Sequence, residues 1–324
     1  MSSNTFVKAQ KEVINDAIKE LVDSSVFLGV TSYGGGAAGT QAQGSNFGYV
    51  SGSDPRTNEI EKFPFASDGN ATDVGDMSIA RRYMSGNSSA ENGYVTGGEP
   101  TPSYNRIDKY PFATDTNATY IGNLSVVRQE TSGQSSTVSG YTSGGFPYSN
   151  VIDKFPFSSD TNASDVGDLT VARFGTAGQS SSTHGYTSGG FAPPYTNVID
   201  KFPFASDTNA SDVGDLTVTR NRAAGQNSED NGYTSGGQTT PSIRSNVIDK
   251  FPFASDANAS DVGDLLSSIA EFSGQSSTTH GYSSGGNAPP TSDTIQKFSF
   301  ASDGNATDVG NLTRVKAGTS GQQY

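Results

Sequence analysis

A four-residue phrase, Lys-aromatic-Pro/Ser-Phe, recurs six times, beginning at Lys62, Lys109, Lys154, Lys201, Lys250 and Lys297. Successive copies are 47, 45, 47, 49 and 47 residues apart. A Gly-Tyr pair keeps step with them, its tyrosine at Tyr49, Tyr94, Tyr141, Tyr186, Tyr233 and Tyr282. A repeat of this length means one small unit used many times, with each unit burying its apolar surface against its neighbours. Composition read alone points elsewhere. Only eight of the 324 residues are leucine and the net charge is −13, a combination close to that of disordered chains. Yet the chain holds 18 phenylalanines and 14 tyrosines. They return in register with the turn residues, and a solvated chain has no use for that register.

One unit reads as four short strands. Residues 176–182 (TAGQSSS) are small and polar, suited to a crowded innermost position. Residues 185–190 (GYTSGG) form a second strand ending in a double glycine, which permits positive φ and close backbone approach. A variable, proline-rich turn covers 191–196, and 197–204 (NVIDKFPF) form the third strand, made irregular by Pro203. The stretch Ser206–Asp212 has turn composition, and an apolar outer strand is expected over Val213–Val218, with Arg220 closing the unit. Four-stranded units of this size bury their faces by stacking sheet on sheet around an axis. The fold class expected is therefore all-β, a six-bladed propeller. Phe and Ile fill the space between sheets, while Gly, Ser and Ala fit the narrow centre. Residues 318–322 (GTSGQ) follow the pattern of 175–179 (GTAGQ), whereas 39–43 (GTQAQ) is one residue out of step with Tyr49. The C-terminal segment is thus expected to supply the innermost strand of the first blade.

The order double Gly, Ile-Asp-Lys-aromatic, Asp-Val-Gly-Asp-Leu, Arg resembles the kelch repeat, over roughly the 280 residues of the six units. The likeness rests on Gly97-Gly98, Gly144-Gly145, Gly189-Gly190, Gly236-Gly237 and Gly285-Gly286, and on Arg81, Arg128, Arg173 and Arg220. The chain departs from kelch where that repeat carries Trp, holding Val74, Ile121, Val166, Val213, Val262 and Val309 there. It also places Ile269 and Lys316 at the fifth and sixth Arg positions, and one glycine, Gly52, in the first unit. The resemblance implies a divergent, kelch-like propeller.

Residues 1–30 follow another pattern. Val7, Ile14, Ala17, Ile18 and Leu21 fall on one helical face, with Lys8, Lys11, Glu12, Asp16, Lys19 and Glu20 mostly elsewhere. The reading is an N-terminal helical arm (1–30), a Gly-rich linker (31–47) and the propeller (48–324). The arm's apolar face suits oligomerisation or docking on a partner assembly, or packing on its own propeller.

Several chemistries are excluded or unsupported. Without cysteine there is no disulfide, thiolate nucleophile or Cys-type metal site. Acidity argues against nucleic acid. No apolar run approaches the roughly 20 residues of a membrane span, and no signal peptide is expected. His184 and His280 are the only histidines, at a repeat position otherwise filled by Phe47, Asn92, Ser139 and Asn231, and read as strand-end polar residues. The phrase containing Asp160, Asn162, Asp165 and Asp168 offers oxygen ligands at spacings Ca²⁺ could use, but turn capping accounts for it as well. No cofactor is expected. The Asn-Ala-Thr/Ser sequons in these phrases also read as turns.

The variable turns carry the diversity. Tyr104, Phe146, Tyr148, Phe191 and Tyr195 lie in them, suited to stacking on sugars or packing on protein. The near-identical tandem phrase IDKFPFASDTNASDVGDL is similar to repeat propeller proteins of marine phage particles, especially those of cyanobacteria. That resemblance implies a non-enzymatic virion component in a tail, fibre or capsid surface. It would be joined to other virion proteins by the arm, as a homo-oligomer or otherwise, and would meet a glycan or protein of the host surface. The alternatives are a bacterial surface or secreted carbohydrate-binding propeller, and an enzyme with a site in the central channel.

Overall fold

The computed structural model describes residues 43–99 and 105–324. They form six four-stranded antiparallel sheets, each an up-and-down meander, in a six-bladed β-propeller. In the fourth blade the strands, from the axis outwards, are Ala177–Ser180, His184–Ser188, Val198–Pro203 and Ser211–Asp215. The first blade takes its innermost strand from the other end of the chain. Ser320–Gln323 pairs antiparallel with Phe47–Ser51, Tyr49 opposite Gln322, as the unit alignment requires. The residues expected to form the helical arm, Val7, Ile14, Ala17, Ile18 and Leu21, lie outside the described residues, as does most of the expected linker.

The outer strand differs from expectation. It covers Ser211–Asp215 and not Val213–Val218, and Val218 is exposed. Ile199 pairs with Gly214 and Asp200 with Asp212, leaving Val213 as the extra residue of a bulge. The bulge bends the edge strand and leaves Val213 partly buried against the core of the next interface. Beyond Leu216 the chain abandons the ladder because Thr217 N–H and Oγ1–H both donate to the buried Asp249 of the next blade.

Each inter-blade interface uses the same set of contacts, which explains how a leucine-poor chain folds. The tyrosine of one blade packs on both aromatics of the next blade's third strand and turn. Tyr186 meets Phe251 and stacks on Phe253, and at the closing interface Tyr282 meets Phe63 and Phe65. Nearer the axis, a side-chain amide donates to that tyrosine's carbonyl one blade on, as Gln179 does to Tyr233 and Gln275 to Tyr49. A crossover arginine forms a fully buried ion pair with the next blade's third strand: Arg81–Asp108, Arg128–Asp153, Arg173–Asp200 and Arg220–Asp249. The sixth-to-first interface substitutes Lys316–Glu61. The fifth-to-sixth interface replaces both charges together, with Ile269 facing a blade that carries Gln296.

At the centre, blade spacing is set by glycine. A Cβ on Gly178 would stand 2.3 Å from the carbonyl oxygen of Gly133, and the equivalent approach repeats round the axis. Only glycine permits that distance.

Candidate functional site

The meander gives the two propeller faces different loops. Turns between third and outer strands lie on one face (the turn face). The variable loops between second and third strands share the opposite, crossover face with the connections from one blade to the next.

The turn face is committed to the scaffold. Asp160 is paired with Lys109 of the preceding blade. Asn162 Oδ1 accepts the N–H of Asn123 at 3.0 Å, and Asp165 accepts the N–H of Gly167 at 3.2 Å. The backbone N–H of Asp168 donates to Asn209 Oδ1 of the next blade at 3.1 Å. The four residues considered for calcium thus serve different partners. Among the described residues no group of three His, Cys, Asp or Glu side chains is placed to hold a metal ion. His184 and His280 sit on separate blades, each with Nδ1 2.8 Å from the hydroxyl of the preceding threonine. Burial and a neighbouring lysine lower both imidazole pKa values.

The crossover face is where the repeat breaks. Nine of the eleven exposed large hydrophobic residues among those described lie on it. Phe146, Tyr148 and Ile243 are in variable loops, and Val126, Val127, Val171, Val218, Leu266 and Val315 are in crossovers. Two features stand out, both built on the pair of residues that follows the closing arginine.

The first is a ring at the channel mouth. Tyr83, Glu130, Gly175, Arg222, Glu271 and Gly318 occupy equivalent places, all with φ between 52° and 65°. Each N–H donates to the carbonyl of the preceding blade's member at 2.6–3.0 Å, so six backbone hydrogen bonds close a circle. The four non-glycine members carry left-handed strain of about 1 kcal/mol or more each. Arg222 bonds Glu130 through two nitrogens, at 3.0 and 2.8 Å, and Glu271 through a third at 2.6 Å. Its guanidinium also lies 5.8 Å from the Tyr83 ring centre. Burial opposes the Arg222 charge, but the two carboxylates outweigh it and raise its pKa. Burial, helped by the Glu271 charge, pushes the Tyr83 hydroxyl up to about 12. The cluster forms an ion-paired plug in the mouth.

The second is an aromatic sector on the third and fourth blades. The structure brings together Phe146, Tyr148, Phe191 and Tyr195 and adds Phe174. Phe174 packs edge-to-face on Phe146 at 5.3 Å and on Tyr148 at 5.4 Å, and lies 5.4 Å from Phe191. Phe191 in turn meets Tyr195 at 4.9 Å. Phe146 and Tyr148 remain 42% and 45% exposed, and Tyr148 is held at φ 31°. Tyr104 lies outside the described residues. The signal for Phe174 was present: the slot after the closing arginine reads Arg82, Gln129, Phe174, Asn221, Ala270 and Ala317, with no residue type repeated except alanine.

No protein-family model matches the sequence, and no curated protein matches it.

Proposed function

We propose that this six-bladed propeller is a non-enzymatic structural and binding module that engages its partner through the crossover face. The observation that carries this reading is the division of labour between faces. The recurring Lys–Asp pairs and Asn caps of the turn face are used between blades, whereas the exposed apolar and aromatic side chains gather on the crossover face, where a scaffold has no need of them. The absence of enzymatic activity is supported by the separation of the two histidines and by the engagement of the mouth carboxylates with Arg222.

The setting we propose is a phage particle, as a tail, fibre or capsid-surface component, localised in the virion. Residues 1–30 would attach it to other virion proteins, and the crossover face would meet the host. The kelch-like order of the repeat and the likeness of its tandem phrase to marine phage propellers support this setting. Mass spectrometry of purified particles tests it: peptides of this chain should be present at a fixed ratio to a capsid protein. Their absence overturns the virion assignment. A bacterial surface or secreted carbohydrate-binding propeller is the second reading, favoured by the aromatic sector. It requires the chain on or outside the cell when no phage is present.

A further inference from the structure

We propose that the groove between the second and third blades, on the turn face, is a slot for a tyrosine or phenylalanine side chain carried by a positively charged segment of a partner protein. It lies opposite the crossover face and goes beyond the reading given above. The molecule itself shows what such a groove takes. The repeated phrase ends each time in a phenylalanine, at Phe65, Phe112, Phe157, Phe204, Phe253 and Phe300, which stacks or packs on the preceding blade's tyrosine. Of the six, Phe112 alone is buried, at 5% exposed. A second ring covers it: Tyr324 stacks on Phe112 at 5.2 Å, in addition to Tyr49 at 4.9 Å. Tyr324 stands where the second blade has Ser89. Its N–H donates to the carbonyl of Phe47 at 2.8 Å, as Ser89 N–H donates to that of Asn92 at 2.9 Å, and Phe47 and Asn92 each precede their Gly-Tyr pair.

At the next interface, where the small Ser89 takes the place of that tyrosine, a groove of about 330 Å³ opens beside Phe157. Phe157 stacks on Tyr94 at 4.8 Å and stays only partly buried. Ala90 and Val138 complete the apolar wall. Val138 is 66% exposed and is the one apolar residue at its repeat position, which otherwise holds Asn46, Glu91, Thr183, Asp230 and Thr279. Five interfaces leave their phenylalanine partly buried, but only this one sets a valine beside it. An aromatic ring seated there covers both side chains and repeats the stacking that Tyr324 makes on Phe112. Charge selects the segment that carries the ring. Glu91 lines the groove, is exposed, and forms no ion pair among the described residues. That carboxylate, with the chain's net charge of −13, attracts a basic segment and repels an acidic one.

The full chain is tested by saturation-transfer NMR with the end-blocked tripeptides Lys-Tyr-Lys, Lys-Ala-Lys and Glu-Tyr-Glu, and with p-cresol. The ring protons of Lys-Tyr-Lys are expected to receive saturation from the protein. Lys-Ala-Lys should bind at least about tenfold more weakly, and Glu-Tyr-Glu at least about threefold more weakly. Ser89→Tyr should lay its own ring on Phe157, as Tyr324 does on Phe112, and abolish binding. Val138→Ser should weaken binding about threefold or more with a melting temperature close to the parent's. Ile243→Ser, on the crossover face, should change nothing. Absence of saturation transfer to Lys-Tyr-Lys, equal binding of Lys-Ala-Lys or Glu-Tyr-Glu, or binding indifferent to both Ser89→Tyr and Val138→Ser overturns the proposal. Binding of p-cresol as tight as that of Lys-Tyr-Lys overturns the assignment to a partner protein. None of these outcomes bears on the crossover face, so its reading stands or falls separately.

Discussion

Glycine at the axis and tyrosine between blades decide this molecule residue by residue. Gly178→Ala places a methyl group 2.3 Å from a backbone oxygen that belongs to a ring of six blades and has nowhere to go. Its melting temperature should fall by many degrees. Gly69→Ala, where nothing lies within 4 Å, should leave the melt nearly unchanged. Equal effects in a thermal scan would show that the axial approach does not set blade spacing.

The tyrosines give a pH signature. Burial pushes the Tyr94, Tyr186, Tyr233 and Tyr282 hydroxyls up to about 12. A pKa raised in the folded state contributes stability that is complete below the unfolded value near 10 and is lost as pH rises through the folded value. Stability should therefore decline between about pH 10 and pH 12. An ultraviolet titration should show these rings ionising later than the rest. Titration of every tyrosine near 10 in a chain still folded by circular dichroism would contradict the packing described.

For the elements, the informative pair is Ile269 and Gln296. Four interfaces bury Arg with Asp, one buries Lys with Glu, and the fifth-to-sixth has lost both charges together. A buried charge is tolerated only with its partner. Ile269→Arg alone should cost about 3–5 kcal/mol, whereas Ile269→Arg with Gln296→Asp should recover much of that. A denaturant-unfolding cycle measures the coupling, and additive effects would show that the two positions do not form the sixth clamp. Gln296 Oε1 already accepts the Leu266 N–H at 2.7 Å, the job its aspartate counterparts also do, so the neutral interface keeps its hydrogen bond without an ion. The outer strands show where pattern reading stops. Val213–Val218 looks like a strand because Val213, Leu216 and Val218 return apolar residues after the turn, but Thr217 is drawn to Asp249 of the next blade. That partner is 32 residues away and invisible to any local window.

For the whole molecule, the ring is shut by strand pairing and by one more copy of the ordinary interface. Ser320–Gln323 supplies the first blade's innermost strand, Gln322 reaches the carbonyl of Tyr94, and Tyr324 stacks on Phe112 at 5.2 Å. Deleting residues 317–324 would expose the Phe47–Ser51 edge and unmake two interfaces at once, because each blade contacts both neighbours. The melting temperature should drop by many degrees in calorimetry. An unchanged melt would mean that the closure contributes little.

The sequence alone determined the unit, the number of units and the strand that closes the ring. Those depend on residues that recur, and recurrence is visible along the chain. It also marked Phe146, Tyr148, Phe191 and Tyr195 as the places where the pattern varies. Only the tertiary structure decided which face holds them, that Phe174 joins them, and that Arg222 reaches Glu130 across 92 positions of sequence. The physical reason is that a propeller brings together single residues from successive blades around an axis. Each face is assembled from positions about one repeat apart, and no stretch of sequence contains the site that the face creates.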